Sequence, residues 1–150
     1  MPLDWQGQYD DPHLDAEFKA DVQAMLGPDP GHWRVVTPAF RSIAAQDALY
    51  AKGRTEPGEQ VTKAKGGQSP HNYGLAVDVC LVQPDYGVTG KETWNYNDPE
   101  WARMWQLAVQ SPRIHPGHAF GDDDHLESTR WRTLRQQLID EGKWDQPQGA

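Results

Sequence analysis

Three residues carry the chemistry that this chain can do: His71, Asp78 and His125. The first two fall in "GGQSPHNYGLAVDVC", residues 66–80, with the histidine in a turn rich in Gly, Pro and Asn and the aspartate inside an apolar run. A carboxylate in a buried strand costs several kcal/mol unless it is paired, hydrogen-bonded or bound to a metal. A salt bridge or the cap of a neighbouring loop would satisfy Asp78 alone. Its company suggests more, because His125 follows in the acidic segment "DDDHLE". Two neutral imidazoles and one carboxylate form a standard catalytic zinc set that leaves a fourth position for water. Such a site carries a formal charge of about +1 and favours deprotonation of the bound water near neutral pH.

Hydrolysis also needs a proton acceptor within reach of that water that is not itself a ligand. Asp122, Asp123, Asp124 and Glu127 surround His125 and are all candidates. Adjacent carboxylates repel, so a solvated acidic turn is the plain alternative, and spacing does not choose among the four. Arg41, at a strand-to-helix junction, could bind a substrate carboxylate or polarise a carbonyl; a surface salt bridge would explain it equally. His13 and His32 read as structural or solvated. His115 and His118 are three apart in "HPGH", where Pro116 and Gly117 argue against a chelating helical turn. His118 could instead point into a cleft, from a strand before the acidic turn, and donate to substrate.

The elements that must hold these residues follow from periodicity. Asp11 and Pro12 read as cap and first position of a helix carrying Leu14, Phe18, Val22, Met25 and Leu26, stopped by "GPDPG". "HWRVVTPAF" reads as a strand, and Ser42 caps a helix through Ile43, Leu49 and Tyr50 to Gly53. Residues 53–72 have no sustained period and form a long irregular connection of the kind that is usually functional. "LAVDVCLV", residues 75–82, is the strongest strand, with Leu75, Val77, Val79 and Leu81 on the core face and Ala76, Asp78, Cys80 and Val82 on the other. Asp98 and Pro99 open a helix through Trp101, Met104, Trp105 and Ala108. "HAFGDDDHLE" reads as strand, turn and strand, and Ser128 begins a last helix through Trp131, Leu134, Leu138 and Ile139 to Gly142, with "KWDQPQGA" frayed beyond it. Helices around a few strands without alternating βαβ units predict an α+β fold on a small antiparallel sheet.

Composition narrows the partners. A chain of 150 residues fits one domain, 1–150, with 37% hydrophobic residues and seven Trp to build a core. The net charge of −8 argues against a nucleic-acid partner, which would need a basic face. No apolar run suits a membrane helix, and "MPLDWQGQYDDPHLD" lacks the basic end and apolar segment of a signal peptide, so synthesis in the cytoplasm is expected. The single cysteine, Cys80, excludes an internal disulfide and any cysteine-rich zinc site, and reads as a small buried strand residue.

"SPHNYGLAVD" has the form S-x-H-x-x-G-x-A-x-D, which resembles the zinc motif of the L-alanyl-D-glutamate and D-alanyl-D-alanine peptidases of bacterial cell walls. These share a fold with the vancomycin-resistance D,D-dipeptidases and the Hedgehog signalling domain. "FRSIAAQDALYAKGRTEPGEQVTKAKGG" is similar to the family's Arg-Ser junction, helix and "GRTxPG" to "VTxAxGG" loop, and "FGDDDHLE" is similar to its F-x-D-x-x-H-x-E ending, so that the matches span residues 40–127. The resemblance implies that His71, Asp78 and His125 hold zinc, that Asp122 activates water and then protonates the leaving amine, and that Ser69 and Arg41 contact substrate. The loop details look more like the L-alanyl-D-glutamate endopeptidases, often the catalytic parts of phage endolysins. What is implied is a monomeric zinc metallopeptidase acting on peptidoglycan stem peptides after release to the wall, without a separate wall-binding domain. A D-alanyl-D-alanine carboxypeptidase or dipeptidase, or a non-catalytic zinc-containing wall-binding module, are the alternatives.

Overall fold

The computed structural model describes residues 13–29, 33–36, 38–82 and 92–144. Among the described residues four α-helices and five short strands alternate irregularly: α1 (Ala16–Leu26), β1 (Trp33–Val35), α2 (Ile43–Ala51), β2 (Ala76–Val82), β3 (Glu92–Thr93), α3 (Pro99–Gln110), β4 (Ile114–Pro116), β5 (His125–Ser128) and α4 (Trp131–Asp140). The sheet runs β1-β2-β5-β4, with β3 also paired to β2, and every pairing is antiparallel. This is the α+β architecture that the sequence predicts.

β2 is the spine of the sheet. Its Leu75-to-Leu81 face enters one hydrophobic core with Phe18, Val22 and Leu26 of α1 and Trp101, Met104 and Ala108 of α3. Trp33 and Trp101 meet edge to face there, with centroids 5.0 Å apart. The opposite face is not a solvent face either: Ala76, Cys80 and Val82 are all buried, and Asp78 is the one partly open position of the strand.

Several predicted boundaries move. Asp11 and Pro12 lie outside the described residues; the cap of α1 is Asp15, whose carboxylate accepts from the Phe18 amide at 2.9 Å. Among the described residues of "HWRVVTPAF" only Trp33–Val35 is strand; His32 and Thr37 lie outside them. "HAF" is not a strand: Gly117–Phe120 form a 3-10 turn closed by Gly121 at φ 87°, and the strand precedes it at β4. Proline and glycine in "HPGH" make that turn cheap. Ser128 ends β5 rather than capping α4, which starts at Trp131. Of the tail "KWDQPQGA", Lys143 and Trp144 are described, with the Trp144 ring covering Gly67 so closely that a Cβ there would lie 2.6 Å from it; residues 145–150 lie outside the described residues.

Candidate metal centre and cleft

The turn that carries His71 is built by hydrogen bonds among its own polar residues. Ser69 caps the 3-10 turn Pro70–Tyr73 through Oγ, which accepts from the His71 amide at 3.3 Å. Asn72 Oδ1 accepts from the Gly67 and Ser69 amides, and its Nδ2 donates to the Arg41 carbonyl at 2.9 Å. Gly74 then leaves the turn at φ 68°, with the His13 carbonyl pressed against the place a side chain would occupy. The turn that fixes His71 ends two residues before β2, on which Asp78 stands directly opposite His125 in the β2–β5 ladder.

Both imidazoles turn toward Asp78. His71 Nδ1 donates to the Ala39 carbonyl at 2.9 Å, which leaves Nε2 unprotonated in the neutral ring and 3.6 Å from Asp78 Oδ2. His125 Nε2 donates to Glu127 Oε1 at 2.8 Å, leaving Nδ1 3.3 Å from Asp78 Oδ1. One donor atom from each of the three residues lies within 4.8 Å of the others. Both histidine side chains are 6% exposed and the Asp78 side chain 26%. Two nitrogens and one oxygen converging on a point that solvent reaches, each ring anchored from behind, is a donor set that suits zinc with an open position.

The charges are tuned together. Burial alone would raise the Asp78 carboxyl, but the hydrogen bonds and positive charge of His125 and His71 outweigh it and hold it well below the usual carboxylate range. Burial alone would lower His125; Asp78 and Glu127 on its two nitrogens push it up to about 9. Glu127 is lowered against its burial by His125, the Trp131 indole and Arg132.

The four carboxylates around His125 separate by what they touch. Glu127 is 3% exposed and committed on both oxygens, to His125 and to the Trp131 indole at 2.6 Å. Asp123 pairs with His118 Nδ1 at 2.6 Å while His118 stacks flat on Trp105 at 3.5 Å. Asp122 and Asp124 line the cleft. Asp122 Oδ2 lies 3.8 Å from His125 Nδ1, and its side chain is 53% exposed. Burial, the Asp78 charge and a hydrogen bond with Asp122 push Asp124 up to about 7.

The cleft encloses about 1030 Å³ and is bounded by the 53–72 connection, the 3-10 turns and α4. Arg41 and Ser69 are both in its lining. His118 is not among the described residues that line it; it occupies the far side of the acidic turn. His13 is half-buried and stacks on Phe40.

Two participants fall inside the quoted motifs, yet residue type and spacing assign them no role. Gln46 is fully buried on α2; its Oε1 accepts from Arg41 at 2.9 Å and its Nε2 donates to the Ala64 carbonyl at 2.8 Å. In the sequence it is marked by the stretch "FRSIAAQDALY", which is similar to the family's Arg-Ser junction and helix. Phe120 projects into the cleft, 53% exposed, with its ring 5.9 Å from that of His125. The role of Glu127 as the rear anchor of His125 was hidden for a different reason: the F-x-D-x-x-H-x-E ending fixes its position, while its residue type alone makes it one acid among four.

A family model described as VanY, D-alanyl-D-alanine carboxypeptidase, matches residues 13–110, which takes in His71 and Asp78 and stops short of His125. Peptidoglycan L-alanyl-D-glutamate endopeptidase CwlK of Bacillus subtilis (strain 168) is 36% identical over 101 residues, covering 65% of this chain. The match spans 60% of the length of that relative.

Proposed function

Since this chain belongs to the VanY D-alanyl-D-alanine carboxypeptidase family, we propose that it is a zinc peptidase of peptidoglycan stem peptides that cuts the bond between L-alanine and D-glutamate. The observation that carries the reading is the convergence of His71 Nε2, His125 Nδ1 and the Asp78 carboxylate in one open cleft. The name of the endopeptidase from Bacillus subtilis supports this bond. The description of the family favours a second reading, release of a terminal D-alanine.

His71, Asp78 and His125 would hold the ion. A bound zinc supplies a water of lowered pKa and polarises the carbonyl of the scissile bond. Asp122 takes the proton of the attacking water and returns it to the leaving amine, a role its exposure and its position beside His125 allow. The Arg41 guanidinium, with one nitrogen held by Gln46, directs its remaining donors at the developing oxyanion. Ser69 contacts the substrate backbone from the edge of the turn. Glu127 keeps His125 in the tautomer that presents Nδ1. Activity of this kind on intact wall is what a bacteriophage endolysin requires, and we assign the protein that role.

The test is mass spectrometry of purified peptidoglycan digested with and without a chelator. New amino-terminal D-glutamate, absent when chelator is present, is the expected result. Loss of terminal D-alanine instead would transfer the activity to the carboxypeptidase reading. No cleavage by a zinc-loaded sample would leave a non-catalytic wall-binding module.

A further inference from the structure

The cleft has a second chemical pole, made of cations. Although the chain carries a net charge of −8, Arg41 and Lys63 both line the cleft that holds the metal-ligand set. They come from different elements, the β1–α2 junction and the irregular connection, yet one buried side chain organises both. Gln46 Oε1 accepts from Arg41, while Gln46 Nε2 donates to the Ala64 carbonyl and reaches Thr62 Oγ1 at 3.4 Å. Thr62 Oγ1 in turn accepts from the Ala64 amide at 3.1 Å. The residues on either side of Lys63 are therefore pinned to the core, and the lysine itself is exposed on the cleft wall. The other cations of that connection are engaged on its outer side, where Arg54 and Lys65 cover the Tyr50 ring. No carboxylate among the described residues forms an ion pair with Lys63.

Two cations on one cleft wall, one of them exposed and without a carboxylate partner among the described residues, make a place for an anion. We propose that Lys63, on the cleft-lining segment that Gln46 ties to Arg41 through Thr62 and Ala64, is a specificity-determining residue that binds a free carboxylate of the substrate, the α-carboxylate of the D-glutamate that follows the scissile bond. This rests on the reading of the cleft as a stem-peptide site. Glutamate has two carboxyl groups, and extension of the peptide consumes one of them. The residue on the leaving side of the proposed bond therefore carries a negative charge that an amidated peptide lacks. Acidic residues elsewhere in the lining, Asp122 and Asp124, would repel that charge and leave the cationic pole as its place.

Binding to the full chain, measured by calorimetry in chelator so that no peptide is cut, decides the proposal independently of turnover. The probes are an L-Ala-D-Glu stem peptide and its counterpart in which that α-carboxylate is an amide, together with a D-Ala-D-Ala-terminated peptide and its C-terminal amide. The glutamate peptide should bind about tenfold more tightly than its amide, the scale of a hydrogen bond to a charged group. Lys63→Met should reduce the acid to the level of the amide and leave the amide unchanged, and Lys63→Arg should keep the preference. Equal binding of acid and amide, an equal loss for both in Lys63→Met, or a preference confined to the C-terminal pair would each overturn it. Absence of cleavage by the zinc-loaded chain would remove the peptidase reading while the binding result still stands.

Discussion

Asp122, Asp123 and Asp124 are chemically identical and differ only in what surrounds them. Asp123 is held by His118 and is not among the described residues that line the cleft, whereas Asp122 lines it beside His125. Asp122→Asn should therefore lower kcat by about 100-fold or more while leaving one equivalent of bound zinc per chain. Asp123→Asn should stay within a few-fold of the parent. The opposite ranking, read from initial rates on soluble stem peptide with metal content measured on the same samples, would move the base. His71, Asp78 and the pairing of the second histidine with an acidic segment were legible from residue type and spacing. Which acid does what was not, because the answer depends on side-chain partners from α3 and α4 that no local pattern encodes.

The elements show why the main strand was easy to read and its surroundings were not. β2 alternates and runs long enough to identify itself, and Asp98 with Pro99 announces α3 through a cap that accepts from the Glu100 amide at 3.0 Å. The cap of α1 was misplaced by four residues because Asp15 is selected by tertiary partners: its amide donates to the Gly74 carbonyl and its carboxylate meets Arg130 at 2.5 Å. The two turns that flank the metal ligands end in glycines with left-handed backbone, yet they differ in a testable way. Any side chain at Gly74 would sit 1.7 Å from the His13 carbonyl oxygen, whereas nothing lies within 4 Å of a Cβ at Gly121. Gly121→Ala should cost about 1 kcal/mol of backbone strain, and Gly74→Ala should cost more than about 2 kcal/mol because strain and collision add. Urea unfolding of the two variants measures the difference, and equal costs would contradict the close approach.

For the molecule as a whole, the proposed zinc centre would couple metal to folding. It needs β2, β5 and the 3-10 turn in place together, so zinc held there would bind the folded chain far better than the unfolded one. Zinc at about a thousand times its Kd should add about 4 kcal/mol, seen as a rise in Tm that chelator reverses. The sign of its pH dependence follows from His125, whose proton must leave for the ion to bind. With that group pushed up to about 9, the zinc-dependent increment should shrink by about 1.4 kcal/mol for each pH unit below 9. The metal-free chain moves the other way, because a raised histidine contributes stability that is complete below about pH 6.5 and is lost as pH rises through about 9. Thermal melts from pH 6 to 9 with and without zinc should therefore diverge as pH rises; parallel curves would contradict the coupling. Among the described residues no helix is long and apolar enough to cross a membrane.

The ladder that sets Asp78 opposite His125 also fixes when the centre can exist. These two residues are 47 positions apart, and all of β3, α3 and β4 lie between them. Closing so long a segment is slow relative to forming the His71 turn beside β2. A growing or refolding chain that has not yet paired β2 with β5 would hold His71 and Asp78 without the third ligand of the proposed centre. Metal capture would then mark the end of assembly, and a chain with an incomplete sheet would stay chemically silent.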